Sequence, residues 1–216
     1  MKAFASATRT NVTAADVERA SASDPGLLNC KTAIAHRVGG FFADMNLQSD
    51  DFELFGVPRR FAQERSALDA RWKELQREAH PDRHAANSAA VQRQAMQWSV
   101  RINEAYQRIK DPLRRAAYLC ELNGAPIRAE DNTAMPADFL VQQMEWREAL
   151  EDAESLTEVD ALEAQVHQAR RTALERCADL IDQRQDFAAA ARQVRALMFI
   201  ARFALDIERK QEQLGQ

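Results

Sequence analysis

From Asp50 onward the apolar residues recur at intervals of three and four, and no β-branched run breaks the pattern. Such a pattern cannot lie flat on a sheet; it puts one apolar stripe along each of a series of helices. Ala, Leu, Glu, Gln and Arg dominate the chain, and these lose little rotamer freedom in a helix. With 46% hydrophobic residues and only 6 Gly and 6 Pro in 216 residues, the sequence predicts a packed all-α protein.

Local signals divide that pattern. "DDFELFGVP" reads as a short helix, with acidic residues at its start and Gly56 and Pro58 at its end. "ERSALDARWKELQREA" follows, with Leu68, Trp72, Leu75 and Ala79 at helical spacing. Pro81 stops it, because proline has no amide to donate and disfavours helical geometry at His80. A third helix is predicted from about Ser88 to Ile109, with Val91, Ala95, Trp98, Ile102, Ala105, Tyr106 and Ile109 on one side. Asp111-Pro112 opens a fourth, "PLRRAAYLCEL", closed near Asn123-Gly124. A polar, proline-framed stretch then acts as a linker over 124–137. Beyond it come three long amphipathic segments. The second starts at a capping box, Ser155 to Glu158, and runs to about Gln183; the third spans Phe187 to Leu214. Short connections make these antiparallel neighbours, so residues 138–214 are expected to form a three-helix bundle.

Several function classes fall away. A net charge of −4 and a pI near 5.7 lack the basic footprint of a nucleic-acid binder. No apolar run approaches the length of a membrane span, so neither partner is expected. Cys30, Cys120 and Cys177 are far apart and form no C-x-x-C pair, which reads as buried thiols in a reducing compartment. Residues 1–44 hold scattered Ser, Thr and Ala without helical period. They have no apolar core for a signal peptide, and Asp16, Glu18 and Asp24 do not suit a mitochondrial one. A disordered extension is expected there, with Met45 as an alternative start.

The stretch "REAHPDRH", Arg77 to His84, concentrates two histidines, a proline and an aspartate. As a metal site it fails, because His80 and His84 would need a continuous helix that Pro81 forbids, and no fourth ligand is visible. As a catalytic site it has neither a partner nucleophile nor a second carboxylate. A solvated turn is the plain alternative, and three residues alone do not defeat it.

The surrounding residues do. "RWKELQREAHPDRH" resembles the second helix and HPD loop of a J-domain, the module that activates DnaK-type heat-shock ATPases. "INEAYQRIKDPLRRAAYL" resembles the following helices of the same module. Together with "FELFGVP" and "FLVQQMEWREALED", these motifs are similar to the HscB family, J-type co-chaperones of iron–sulfur cluster assembly. The resemblance covers Asp50 to about Leu214. It implies a J-domain over 49–123 joined to the bundle in an L shape, a bacterial cytoplasmic protein rather than a mitochondrial one, and no enzymatic activity. It places chaperone contacts at His80, Pro81 and Asp82, with Lys73, Arg77 and Arg83 adding positive charge toward an HscA/DnaK-type ATPase. Some eukaryotic relatives carry paired C-x-x-C motifs near the N-terminus; only Cys30 stands there in this chain, so no metal or cofactor is expected.

A second face is expected on the helix near Asp138. Leu140, Val141, Met144, Glu145, Glu148 and Asp152 fall on one side of it, apolar at one end and acidic at the other. Phe139, Trp146 and Leu150 are left for the core. In the HscB family the corresponding face binds the IscU-type scaffold, helped by an aromatic on the last helix, here Phe199. The alternative is that Leu140 and Met144 are themselves core.

Overall fold

The computed structural model describes residues 46–84, 88–128 and 134–215; the expected N-terminal extension and the alternative start at Met45 lie outside the described residues. Asp50 begins α1 (Asp51–Phe55) by accepting from the amides of Phe52 and Glu53 at 2.8 and 2.9 Å. Gly56 ends it at φ +65°, a left-handed geometry in which glycine meets no steric cost. In α2 (Arg65–Ala79) the final turn gives way at His80, whose extended backbone is what Pro81 requires of its predecessor. One 3₁₀ turn follows (Pro81–His84), and then α3 (Ala89–Lys110), capped by Ser88. Asp111 closes α3 and opens α4 (Pro112–Leu122), its carboxylate accepting from the amide of Arg114 at 2.8 Å.

The remaining helices are α5 (Ala137–Asp152), α6 (Leu156–Ala178) and α7 (Phe187–Leu214). The predicted capping box forms at α6: Ser155 accepts from the Glu158 amide, and the Glu158 carboxylate accepts from the amides of Glu154 and Ser155. A π-helical turn (Asp179–Gln183) extends α6, so this segment reaches Gln183 as expected.

Two apolar cores result. In the first, Phe52, Leu68, Leu75, Trp98, Ile102 and Ile109 bring α1, α2 and α3 together. In the second, Val159 and Val166 of α6 meet Val194, Leu197 and Ile200 of α7. Helix α4 joins them, because it packs on α3 with one side and on α7 with another, burying Ala116, Leu119 and Cys120. Polar ties reinforce that junction. Asp182, in the π-turn, accepts from the backbone amides of Phe61 and Ala62 at 2.6 and 2.8 Å. Arg115 lies over the Phe61 ring at 5.1 Å and donates to the Ile109 carbonyl at 2.6 Å.

The linker is held more firmly than its polar composition suggests. Arg195 of α7, almost wholly buried, donates to the carbonyls of Ile127 and Ala134 at 3.0 and 2.6 Å. Among the described residues no helix is long and apolar enough to cross a membrane.

Candidate functional site

The His-Pro-Asp turn sits where α2 and α3 are joined, and polar side chains lock those helices side by side just below it. Asn103 of α3 accepts from both Trp72 Nε1 (3.0 Å) and Gln76 Nε2 (2.8 Å), and Gln76 also accepts from Ser99 Oγ at 3.2 Å. Trp72 stacks on Tyr106 with ring centres 4.9 Å apart. Trp72, at helical spacing with Leu68 and Leu75, is half-buried, and this hydrogen bond makes it a clasp between α2 and α3.

At the tip the side chains point into solvent, with 56% of His80 and 90% of Asp82 exposed. The turn orders itself. The Arg83 amide donates to the His80 carbonyl at 3.1 Å, and the Asp82 amide donates to His80 Nδ1 at 3.2 Å. With Nδ1 accepting, a neutral ring carries its proton on Nε2. The Asp82 carboxylate stands 3.7 Å from Nδ1, too far for a hydrogen bond, and keeps its acceptor capacity for a partner. Arg83 folds back to donate to the Arg77 carbonyl at 3.3 Å, at the end of α2 where carbonyls lack helical partners. Lys73 and Arg77 are exposed one turn apart on α2, while the neighbouring Glu74 is engaged by Arg71 at 2.7 Å.

On α5, Leu140, Val141 and Met144 are 41%, 59% and 70% exposed, so they are surface and not core. Glu145, Glu148 and Asp152 are exposed as well. Phe139 and Trp146 are buried on the opposite side. They form a cluster with Phe199 and Phe203 in which Phe139 meets Phe199 edge-on at 5.7 Å and Trp146 stacks on Phe203 at 5.8 Å.

The single stripe read from the sequence is in fact divided between two neighbours. Arg147 lies over the Phe199 ring at 5.3 Å, and Leu140 and Met144 share its row, on the α7 side. Val141 and Glu145 face the other way and line a cavity toward α6, and Asp152 lines its continuation. Phe199 is half-buried and committed to the aromatic cluster, so it presents an edge of the surface and not a free ring. The Gln76–Ser99–Asn103 lock and the Arg195 staple were missed. Polar residues at i, i+4 on facing helices were the only hint of the first, and nothing local marks the second.

Among the described residues no group of three or more His, Cys, Asp or Glu side chains could hold a metal ion. What the geometry offers is recognition: a preordered polar tip at one place and an apolar, acid-edged helix at another. Fold and tip together define a class, an all-helical protein in which a J-domain is joined to a C-terminal three-helix bundle.

Residues 135–208 match the family model described as the HSCB C-terminal oligomerisation domain. A co-chaperone protein HscB homolog of Burkholderia multivorans is 47% identical over 173 residues, which is 79% of this chain and 98% of that one. Among solved structures, chaperone HscB from Vibrio cholerae is similar with a TM-score of 0.67 and 36% identity, over 77% of this chain and 99% of the other. Human co-chaperone HscB is similar with a TM-score of 0.72 and 26% identity, over 77% and 84%. The chain belongs to the HscB family of co-chaperones.

Proposed function

We propose that this protein binds an IscU-type iron–sulfur cluster scaffold through α5, delivers it to an HscA/DnaK-type chaperone, and stimulates that chaperone's ATPase through the His-Pro-Asp turn. It makes and breaks no covalent bond itself. The observation that carries the reading is the turn: His80, Pro81 and Asp82 are ordered by hydrogen bonds within the turn, with His80 and Asp82 open to solvent, so little conformational entropy is lost when they dock. Lys73, Arg77 and Arg83 flank it with charge suited to an acidic chaperone surface. Leu140, Val141 and Met144 supply the apolar centre of the scaffold contact, Glu145, Glu148 and Asp152 its acidic rim, and Phe199 its support on α7. The division of labour follows the elements, with a J-domain over 49–123, a linker over 124–137 and a scaffold-binding bundle over 138–214. Carrying both contacts on one body raises the concentration of scaffold at the chaperone. A bacterial cytoplasm is the compartment this implies.

Steady-state ATP turnover by the chaperone tests it, with this protein, with scaffold and with both. Stimulation is expected to multiply when both are present. His80→Gln is expected to keep the helical circular dichroism spectrum and lose stimulation entirely; full stimulation by that variant would remove the turn from the mechanism. Leu140→Ala/Met144→Ala is expected to weaken scaffold binding while leaving scaffold-free stimulation intact. Stimulation indifferent to scaffold would point to a J-domain co-chaperone with another client.

A further inference from the structure

Between α5 and α6 runs a trough that the aromatic cluster does not fill. Its larger part encloses about 830 Å³ and its continuation about 430 Å³, and the two share Gln142, Glu145 and Gln165 at their meeting point. One wall is α5; the other is a face of α6 kept low by Ala164, Ala169 and Ala173, so a guest's backbone can come close. Such volumes lie in the range of natural ligand sites.

A small-residue face alone would be only a gap. Gln193 of α7 makes it more. The residue is 6% exposed, it lines the trough, and its amide has no hydrogen-bond partner among the described residues. The amide opens into the trough and keeps contact with water there, which a guest can displace while bonding the amide directly. Gln142 and Gln165, one on each wall, are exposed, and their amides are free of partners among the described residues. Each glutamine both donates and accepts, which is what the N–H and C=O groups of a chain without a partner strand need when they leave water.

Charge narrows the guest. Asp138 is paired with Arg176 across one end at 3.3 Å, but Glu145 and Asp152 have no cationic partner among the described residues. Length narrows it too: α5 has 16 residues, about 24 Å of trough wall, room for roughly seven residues of extended chain. Val141 and Glu145 belong both to this wall and to the α5 face assigned to the scaffold.

We propose that the α5–α6 trough receives an extended, Lys- or Arg-bearing segment of the scaffold polypeptide, with Gln142, Gln165 and Gln193 bonding its backbone and Glu145 and Asp152 its cationic side chain. This rests on the reading of α5 as the scaffold face and makes the glutamines specificity-determining residues of that contact.

The test uses the whole 216-residue chain and a purified IscU-type scaffold protein as probe. Gln193→Leu removes the amide at similar volume, and Ala169→Leu fills the trough. Titration calorimetry is expected to show both weakened by about tenfold, the loss of one buried hydrogen bond or its equivalent. Both are expected to keep the parent's helical circular dichroism spectrum and urea midpoint, which shows that the bundle is folded, and to stimulate the chaperone normally without scaffold. A photo-cross-linking residue at Gln165 is expected to capture one basic segment of the scaffold. Unchanged affinity in both variants overturns the trough, as does cross-linking only to a second copy of this chain. Leu140→Ala/Met144→Ala, measured alongside, separates the two ideas: unchanged scaffold affinity there removes the α5 face itself, whatever the trough variants do.

Discussion

Removing the carboxylate of Asp51 would leave two arginines facing each other across the space it fills. Asp51 is fully buried, with Arg101 and Arg108 at 2.7 and 3.1 Å; both contacts have the geometry of an ion pair more than of well-aimed hydrogen bonds. Its amide donates to Tyr118 at 3.1 Å, and burial first of all pushes that phenol above its ordinary value. Asp51→Ala removes both ion pairs at once, but Arg101 and Arg108 keep 18% and 43% of their side chains in solvent, so stability is expected to fall by about 2 kcal/mol. The check is the urea midpoint at constant slope; a change within a few tenths of a kcal/mol would make the pair ornamental. None of this was legible locally. "DD" before "FELF" assigns both aspartates to the helix start, and only the fold separates them: Asp50 caps, whereas Asp51 turns inward. His80 and Asp82 were legible because a proline between two helical stretches fixes a turn whatever else packs nearby.

Helix boundaries belong to the next scale, where the sequence was most informative. Pro81, the Asp111-Pro112 step and the capping box act within a few residues of themselves, so each marks its own boundary. The capping box also titrates. The Glu154 amide, the Ser155 hydroxyl and the Ser155 amide hold the Glu158 carboxyl below its ordinary 4.5, in that order of importance. A carboxyl lowered in the folded state contributes stability above the unfolded value; that contribution is lost as pH falls through the folded one. In Glu158→Gln, therefore, the urea midpoint is expected to drop at neutral pH and to lose part of its decline below about 4.5. An acid limb identical to that of the parent protein would rule this out. The division of the α5 stripe was not legible for the opposite reason. Helical periodicity places Leu140, Val141, Met144 and Glu145 on one side of α5, but which of them looks toward α6 and which toward α7 depends on helices that arrive later in the chain.

Across the whole molecule, the two buried cysteines report on the junction of J-domain and bundle. Burial pushes Cys120 of α4 to about 11 and Cys177 of α6 to about 12, where the neighbouring Cys120 adds to the effect. Thiolate is the reactive form, so both are expected to resist a thiol-disulfide reagent at pH 8 and to react once urea unfolds the chain. Fast labelling of either thiol in the folded protein would mean that the junction opens. Sequence alone gave their burial but not their proximity, and it gave the linker's polarity but not the Arg195 staple, since both depend on pairing residues dozens of positions apart. The same distance governs Asp182, whose bonds to the Phe61 and Ala62 amides span about 120 residues of chain. During synthesis the loop leading into α2 leaves the ribosome long before the carboxylate that will hold it exists. The J-domain is thus made first and fastened last, and a nascent chain stalled in α6 would carry a first core whose entry into α2, at Phe61 and Ala62, is still unanchored.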